Sequence, residues 1–431
     1  MEYKVFGCKV NKYYTDKWLN SEKLKDENGI FIASCVVTDN AKRKWIKFVK
    51  DSFKDFSSEK KMFISGCGAF KDGRAQEDFF ELYPELDQFK GRIIILGEDP
   101  NEVDTEIAAE KTQTVKQKQI SKAKIQNISS QFSGIYTKKF ILIQGGCDSF
   151  CTFCLTVIKR GRHFSRSKED ILEEVVEFGK TGGKEVVLTG INLSAWGLDT
   201  TNDIGKSRLA ELLNYLLDNS TIPRIRISSM GPEFIDDECF KVFAKTRIYP
   251  HFHYSVQSGS TSVLKGMKRH YTGEYMRETL KKTLAIKRED GVSIGIGADI
   301  IVGFPGESEQ DYNDTLELVK NYGITKLHAF PFSGHDMGES VPAGDMGNQV
   351  DGKIKKQRMQ TLLATGEETR AAFVEMQKGK ELAVLIEVVK KDGENITWKG
   401  WTQNYVEADE NSFEIFSGKV KKNEIVIGTL L

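Results

Sequence analysis

Short apolar runs and amphipathic stretches alternate along the first hundred residues. Tyr3–Gly7, Ile30–Val37, Lys61–Ser65 and Arg92–Leu96 read as strands, and Asn11–Lys25, Asn40–Phe56 and Gln76–Phe89 as helices. That rhythm predicts an open, mostly parallel α/β sheet. It returns from about Lys139 to Ser333. Strands are predicted at Phe140–Gln144, Glu185–Gly190, Ile225–Ser229, His253–Gln257, Gly297–Val302 and Lys326–Pro331. Helices separate most of them, at Lys168–Lys180, Arg208–Leu217, Phe234–Ala244, Gly273–Arg288 and Glu309–Asn321. Six β/α units fall short of a closed eight-stranded barrel, so a partial (β/α)6 barrel is expected, with its chemistry at the carboxyl ends of the strands. One long helix, Lys353–Gln377, follows. Four short strands then alternate β-branched and charged residues: Leu382–Val389, Ile396–Lys399, Tyr405–Ala408 and Ile425–Gly428. They predict a small OB-like β-barrel, a common oligonucleotide binder. The expected organisation is α/β, with domains at 1–110, 139–378 and 379–431 and a linker at 111–138.

The linker carries Lys111, Lys116, Lys118, Lys122, Lys124 and Lys138 and no Asp or Glu. It reads either as a solvated tether or as a dock for RNA phosphates. Over the whole chain the charges balance, 62 basic against 62 acidic, so no global field marks a polyanionic partner. No apolar run is long enough to span a bilayer, and the N-terminus lacks the layout of a signal peptide. The expectation is a cytoplasmic protein with no membrane partner.

Seven cysteines at this length do not suggest a disulfide framework. Cys147, Cys151 and Cys154 form C-x3-C-x2-C directly after the first strand of the central segment. Three thiolates on one loop can hold three irons of a [4Fe–4S] cube and leave the fourth iron open for chemistry. Zinc is the competing reading, but no His or fourth Cys lies nearby to close a tetrahedron. Cys8, Cys35 and Cys67 each fall at or near the carboxyl end of a predicted strand, about one βαβ unit apart, so the fold can gather them on one rim. Otherwise they are three core cysteines. Cys239 reads as a small buried apolar residue. Asn192, Ser228 and Gln257 stand at strand ends, where each can bind a cofactor or satisfy a loop. Gly303-Phe-Pro-Gly306 is by itself a turn. Trp398 and Trp401, with Lys399, can stack on RNA or form the core and rim of the small barrel.

The triplet, with Phe153 before its last cysteine, resembles the radical S-adenosylmethionine signature. Gly7-Cys-Lys-Val-Asn11, Ser34-Cys-Val-Val-Thr-Asp-Asn40 and Ser65-Gly-Cys-Gly68 resemble the N-terminal motifs of the methylthiotransferase family within it. Val187–Leu193, Arg226–Ser229, Val256–Ser260, Leu264–Thr272 and Asp299–Glu307 resemble that family in order, and the terminal barrel resembles its TRAM domain. The resemblance implies two [4Fe–4S] clusters, one on Cys147, Cys151 and Cys154 and an auxiliary one on Cys8, Cys35 and Cys67. It also implies S-adenosyl-L-methionine, for which Phe153 and the strand-end residues Asn192, Ser228 and Gln257 are the candidate binding residues, and a low-potential electron donor such as flavodoxin or ferredoxin. One S-adenosylmethionine would yield a 5′-deoxyadenosyl radical and another would supply the methyl of a methylthio group, delivered to C2 of an adenine. Lys9-Val10 resembles the type acting on N6-threonylcarbamoyladenosine at position 37, in the anticodon stem-loop of ANN-decoding tRNA. The isopentenyladenosine type usually has Gln-Met there, and the type modifying a ribosomal-protein aspartate has Pro-Lys. A non-catalytic iron–sulfur RNA-binding protein is the reading from a different class. The chain departs from the family pattern at Val157-Ile158 and at His335–Glu339.

Overall fold

The computed structural model describes residues 1–56, 60–101, 136–199, 207–335, 337–393 and 395–431. The basic linker up to residue 135 therefore lies outside the described residues.

Strands Glu2–Val5, Gly29–Ser34, Lys61–Gly66 and Ile93–Ile95 form a parallel sheet in that order. Period-two alternation divides its faces. Ile30, Ile32 and Ile64 pack on Trp45, Ile46 and Val49 of helix Asp39–Asp55, while Phe31, Ala33 and Phe63 pack on Trp18 of helix Lys9–Leu19. Thr38 starts the longer helix by accepting the Ala41 amide. The helix expected at Gln76–Phe89 is instead a short helix, Phe79–Leu82, and a tight turn-like run, Pro84–Arg92. Pro84 interrupts the backbone hydrogen bonding between them.

The central segment has the six expected strands: Lys139–Gly145, Glu185–Gly190, Arg224–Met230, His251–Gln257, Gly295–Val302 and Ile324–Pro331. The third is broken at Ser228. Its first part pairs with Glu185–Leu188 and its last two residues with His253–Tyr254, so all six run parallel in chain order as a partial barrel. Ile225, Ile227, Phe252, Tyr254, Ile296 and Ala298 face the surrounding helices and build the main core. Alternation turns Arg226, His251, His253 and Asp299 toward the lumen. Ser167, Asp236, Thr272 and Ser308 cap four of the outer helices. Cys239 is buried in this core, as expected.

Two outside elements close the lumen. From the N-terminal sheet, Val10, Tyr13 and Tyr14 pack on Phe140, Leu142 and Val187, so helix Lys9–Leu19 lies against the inner face of the first two barrel strands. At the opposite end from the strand carboxyl termini sits a turn of the C-terminal sheet. Arg224 donates to the Ala383 carbonyl (2.7 Å), Arg226 to that of Gln403 (3.4 Å), and Asn404 to that of Ser293 (3.2 Å). Glu185 lies between Arg226 (2.8 Å) and Arg224 (3.5 Å). Burial opposes its charge, but Arg226, Lys138 and Arg224 outweigh it and hold the carboxyl down at about 2.

The C-terminal sheet is antiparallel, in the order Glu407–Asp409, Asn395–Thr402, Glu381–Asp392, Ile425–Leu430, Phe413–Ser417. The last of these is a strand the sequence pattern did not suggest. Among the described residues its two edge strands are not hydrogen-bonded to each other. Trp398 is buried in its core, while Trp401 is half-exposed and stacks on Tyr405. No helix among the described residues is long and apolar enough to cross a membrane.

Candidate functional site

Strand Lys139–Gly145 delivers the cysteine triplet to the carboxyl rim of the barrel. The buried Gln144 shapes the exit. Its Nε2 donates to the Gly145 and Gly146 carbonyls (2.6 and 2.8 Å), and its Oε1 accepts the Asn192 amide (2.7 Å). Gly146 has φ +59°, and a Cβ there would strike the Arg162 carbonyl, so the tight turn requires glycine. The loop closes through the Cys147 amide on the Gly161 carbonyl (3.1 Å). The Cys154 thiol donates to Thr156 Oγ1 (3.0 Å), and the Ser149 amide points at Cys147 Sγ (3.4 Å). Burial pushes the Cys154 thiol up to about 11, against the Thr156 hydrogen bonds. Burial also raises the Cys151 thiol, opposed by Arg269, which donates to its sulfur (3.3 Å).

Cys8 immediately precedes helix Lys9–Leu19, and Cys35 and Cys67 each follow a neighbouring strand by one residue. Parallel register brings these chain ends together. Asn11 fixes two of them by donating to the Phe6 carbonyl (2.9 Å) and the Ser34 carbonyl (2.8 Å). Ser34 fixes the third, donating to the Ser65 carbonyl (2.6 Å) and accepting the Gly68 amide (3.0 Å). Gly7 has φ +105°, and a Cβ there would lie 2.9 Å from Cys35 Sγ. Burial pushes the Cys35 thiol up to about 12, with Cys67 and Cys8 adding to the shift. The three sulfurs are thus close enough to feel one another.

The two triads meet through the residues just after the triplet. Arg160, buried at the end of helix Thr156–Arg160, donates to Cys67 Sγ (3.2 Å) and to Asn11 Oδ1 (2.6 Å), and it pairs with Glu98. Burial works against its charge, yet Cys67, Glu98 and Cys8 raise its pKa further. Phe153 and Leu155 share one apolar cluster with Val36, Cys67, Phe304 and Phe332. Phe304 of the Gly303–Gly306 turn thus packs here. Lys159 reaches Gln76 (3.0 Å) and Glu339 (2.7 Å), and Lys42 donates to the Met337 carbonyl (2.8 Å). Met337 and Glu339, in the stretch where the family pattern is altered, therefore tie Lys42 of the N-terminal domain and Lys159 of the central one together.

The remaining candidates line the rim. Ser228 is buried at the strand break, Asn192 sits over Gln144, and Gln257 ends its strand half-buried with φ +63°. The roles of Arg160, Arg269 and Glu233 escaped the sequence reading. Arg269 lies 3.6 Å from the half-buried Glu233. Arg269 falls within Leu264–Thr272, which resembles the family pattern, but only the tertiary structure brings either arginine to sulfur.

Comparison with known proteins agrees with this geometry. Residues 141–319 match the radical SAM superfamily profile. The chain is 32% identical over 292 residues to a threonylcarbamoyladenosine tRNA methylthiotransferase MtaB of Bacillus subtilis, an alignment covering 67% of this chain and 62% of that protein. The protein of the same description from Thermotoga maritima is 32% identical over 395 residues, covering 89% of this chain and 85% of that one. A tRNA-2-methylthio-N(6)-dimethylallyladenosine synthase of Alkaliphilus oremlandii is 35% identical over 259 residues, covering 60% and 53%. By these similarities the chain belongs to the radical S-adenosylmethionine methylthiotransferase family.

Proposed function

We propose that this chain places a methylthio group on C2 of N6-threonylcarbamoyladenosine at position 37 of tRNA, in the cytoplasm. The observation that carries the reading is one apolar cluster that joins Cys67 to Phe153 and Leu155, the two residues flanking Cys154, with Arg160 from the segment after the triplet donating to Cys67 Sγ. Both sets suit [4Fe–4S] clusters: each offers three sulfurs, neither has a fourth cysteine, and each has a guanidinium within hydrogen-bond distance of one thiol. Cys147, Cys151 and Cys154 would hold one cluster, and Cys8, Cys35 and Cys67 the other. With S-adenosylmethionine bound, these groups supply a hydrogen-abstracting radical and the methylthio group.

The protein's own part is position and environment. Arg160 and Arg269 offset the charge of the thiolates. Phe153, Phe304 and Phe332 keep water from the space between the sites. Asn192, Ser228 and Gln257 present polar groups at the rim for the cofactor. A cavity of about 440 Å3, lined by Asn40, Arg43, Phe332, Ser333 and Lys355, opens beside the Cys35 loop and is assigned to the nucleotides flanking the target base. Residues 1–110 form the auxiliary-cluster domain, 139–378 the radical domain, and 379–431 the domain that grips the anticodon stem-loop of ANN-decoding tRNA together with the basic stretch at 111–138. A flavodoxin or ferredoxin supplies electrons.

Nucleoside mass spectrometry of tRNA from a deletion strain tests this. Loss of the methylthio group from threonylcarbamoyladenosine alone is expected. Loss from the isopentenyl base instead would move the assignment to that type, and no loss from either would end it.

A further inference from the structure

Helix Asp39–Asp55 has one face in the core, where Trp45, Ile46, Val49 and Phe53 are buried. Its other face is basic. Arg43, Lys44, Lys47 and Lys50 are exposed, and no acidic residue stands between Asp39 and Asp51. Arg43, Lys47 and Lys50 share one stripe, at i, i+4 and i+7, about 10 Å long. Like charges at this spacing repel one another and weaken the helix. Lys54 continues the stripe and pairs with Asp51 (2.7 Å). The other four have no carboxylate within ion-pair distance among the described residues.

The stripe starts at the cavity of about 440 Å3 beside the Cys35 loop, which Arg43 lines. Lys355 lines the same cavity from helix Gly352–Glu375 of the central segment. Its ammonium lies over the Phe332 ring (5.3 Å), and its chain lies against Gly303, where a Cβ would come within 2.4 Å of it. Lys353 and Lys356 beside it are exposed, and that helix has no acidic residue before Glu367. Asp39 is the acidic group in the lining. It accepts from Ser333 Oγ (2.8 Å) and lies 3.7 Å from Lys42. Phe332 belongs to the apolar cluster that holds Cys67, Phe153 and Leu155. The cavity therefore adjoins residues of both cysteine sets, and basic helices from two domains border it.

We propose that Arg43, Lys47 and Lys50 on one helix and Lys355 on the other bind backbone phosphates of the anticodon loop, holding the strand across the cavity so that the target base turns in toward the cysteine sets. This rests on the tRNA substrate given under Proposed function. An RNA strand carries one negative charge per nucleotide, which a row of cations on one helix stripe complements. The concave shape between the two basic helices suits a strand with a base turned inward. The face of an acidic protein would meet the cations and leave the cavity unfilled. Contacts of this kind fix the register of the strand and read no sequence.

The test measures binding of anticodon stem-loops to the iron-loaded full chain from about 50 to about 200 mM salt. It compares Arg43→Gln, Lys47→Gln, Lys50→Gln and Lys355→Gln with wild type. Lys281→Gln, an exposed lysine on the outer barrel helix Gly273–Leu284, is the control for the charge change alone. Each of the four variants should weaken binding roughly 3- to 10-fold at the lowest salt and reduce the slope of log affinity against log salt by about 0.7–0.9. The loss should be equal on stem-loops carrying threonylcarbamoyladenosine and its carboxyl methyl ester, and Lys281→Gln should leave the slope unchanged. An unchanged slope in the four variants overturns the proposal. So does a loss confined to the acid, which would give the cavity to the carboxylate of the base substituent. Unaltered RNA binding with turnover lowered under reduced flavodoxin but not under dithionite also overturns it, and would make this face the dock of an electron donor. Tm and iron content are measured alongside. If Arg43→Gln or Lys355→Gln loses iron, the exposed Lys47 and Lys50 decide alone. Wild type that binds no stem-loop would instead refute the tRNA reading beneath the proposal.

Discussion

Cys147, Cys151 and Cys154 fall within eight consecutive residues, and their geometry is set by one loop. Cys8, Cys35 and Cys67 come from three chain segments, and theirs is set by the register of a parallel sheet. The compact triplet needs only its anchors, Gln144 and the Cys147–Gly161 backbone bond. The dispersed triad needs a folded sheet, and it draws on Asn11 and Ser34 to hold three chain ends together. The triplet is therefore a local device. The triad is a tertiary one, exposed to any change that shifts a strand.

The comparison is broken most directly by removing one sulfur from each set. Cys151→Ala should abolish formation of 5′-deoxyadenosine from S-adenosylmethionine, and with it all product. Cys35→Ala should abolish product while leaving 5′-deoxyadenosine formation within a few-fold of wild type. Each variant should keep about four irons where the intact protein keeps about eight, since each set holds one cube. Loss of cleavage in Cys35→Ala would mean that the two sites are not separable.

The same contrast governed how much could be read from the sequence. The triplet is visible as spacing alone, because a loop of that length cannot separate its thiols. The alternation of strands and helices was legible wherever period-two runs met 3.6-period stretches, as at Lys168–Lys180 and Glu309–Asn321, where the expected and observed helices coincide. The convergence of Cys8, Cys35 and Cys67 could be inferred only through the sheet they end. Arg160 was not legible as a partner of Cys67, because the contact spans 93 residues. Nor could the pattern show Phe413–Ser417, a short edge strand with two exposed residues at its end, or the seating of Thr402–Tyr405 in the barrel floor, which depends on Arg226 reaching down from the third strand.

A second way to sharpen the comparison uses the guanidinium groups. Arg160→Gln removes the guanidinium that Glu98 and Cys67 share. Breaking a buried pair of this kind costs about 3 kcal/mol. The expected outcome is a lowered Tm and loss of auxiliary iron under mild chelation, with cleavage of S-adenosylmethionine retained. Arg269→Gln should instead slow that cleavage and leave the auxiliary iron in place. Electron paramagnetic resonance of the reduced proteins distinguishes the two.

Glycine substitutions act more gently. Both Gly7 and Gly146 require positive φ, which alone costs alanine roughly 1–2 kcal/mol, and at Gly146 the collision of a Cβ with the Arg162 backbone carbonyl adds to that cost. Gly7→Ala should weaken auxiliary iron because its Cβ meets Cys35 Sγ, and Gly146→Ala should weaken the triplet site. Chelation half-times for the two clusters should move in opposite pairs. If both variants affect both sites equally, the loop and the sheet are one cooperative unit.

The smallest expected effect is on the pH dependence of the metal-free protein. In the folded chain burial raises the Cys35 thiol to about 12 and the Cys154 thiol to about 11, from an ordinary value near 9. Below pH 9 both thiols are protonated whether the chain is folded or not, so neither contributes a slope. Above pH 9 the unfolded chain releases these protons and the folded one retains them. Stability should therefore fall by up to about 1.4 kcal/mol per pH unit per thiol. The window is wider for Cys35, from 9 to about 12, than for Cys154, from 9 to about 11. Urea unfolding of the metal-free protein at pH 8, 9 and 10 measures the slope, and Cys35→Ser and Cys154→Ser should each remove one thiol's share of it, about equally over this range. The iron-loaded protein should lack the share of the slope due to these two sets, because metal binding has already taken their protons, and keep only that of the buried Cys239, which burial also raises to about 12. If the loaded and metal-free proteins respond to alkali alike, these thiols are not the ligands.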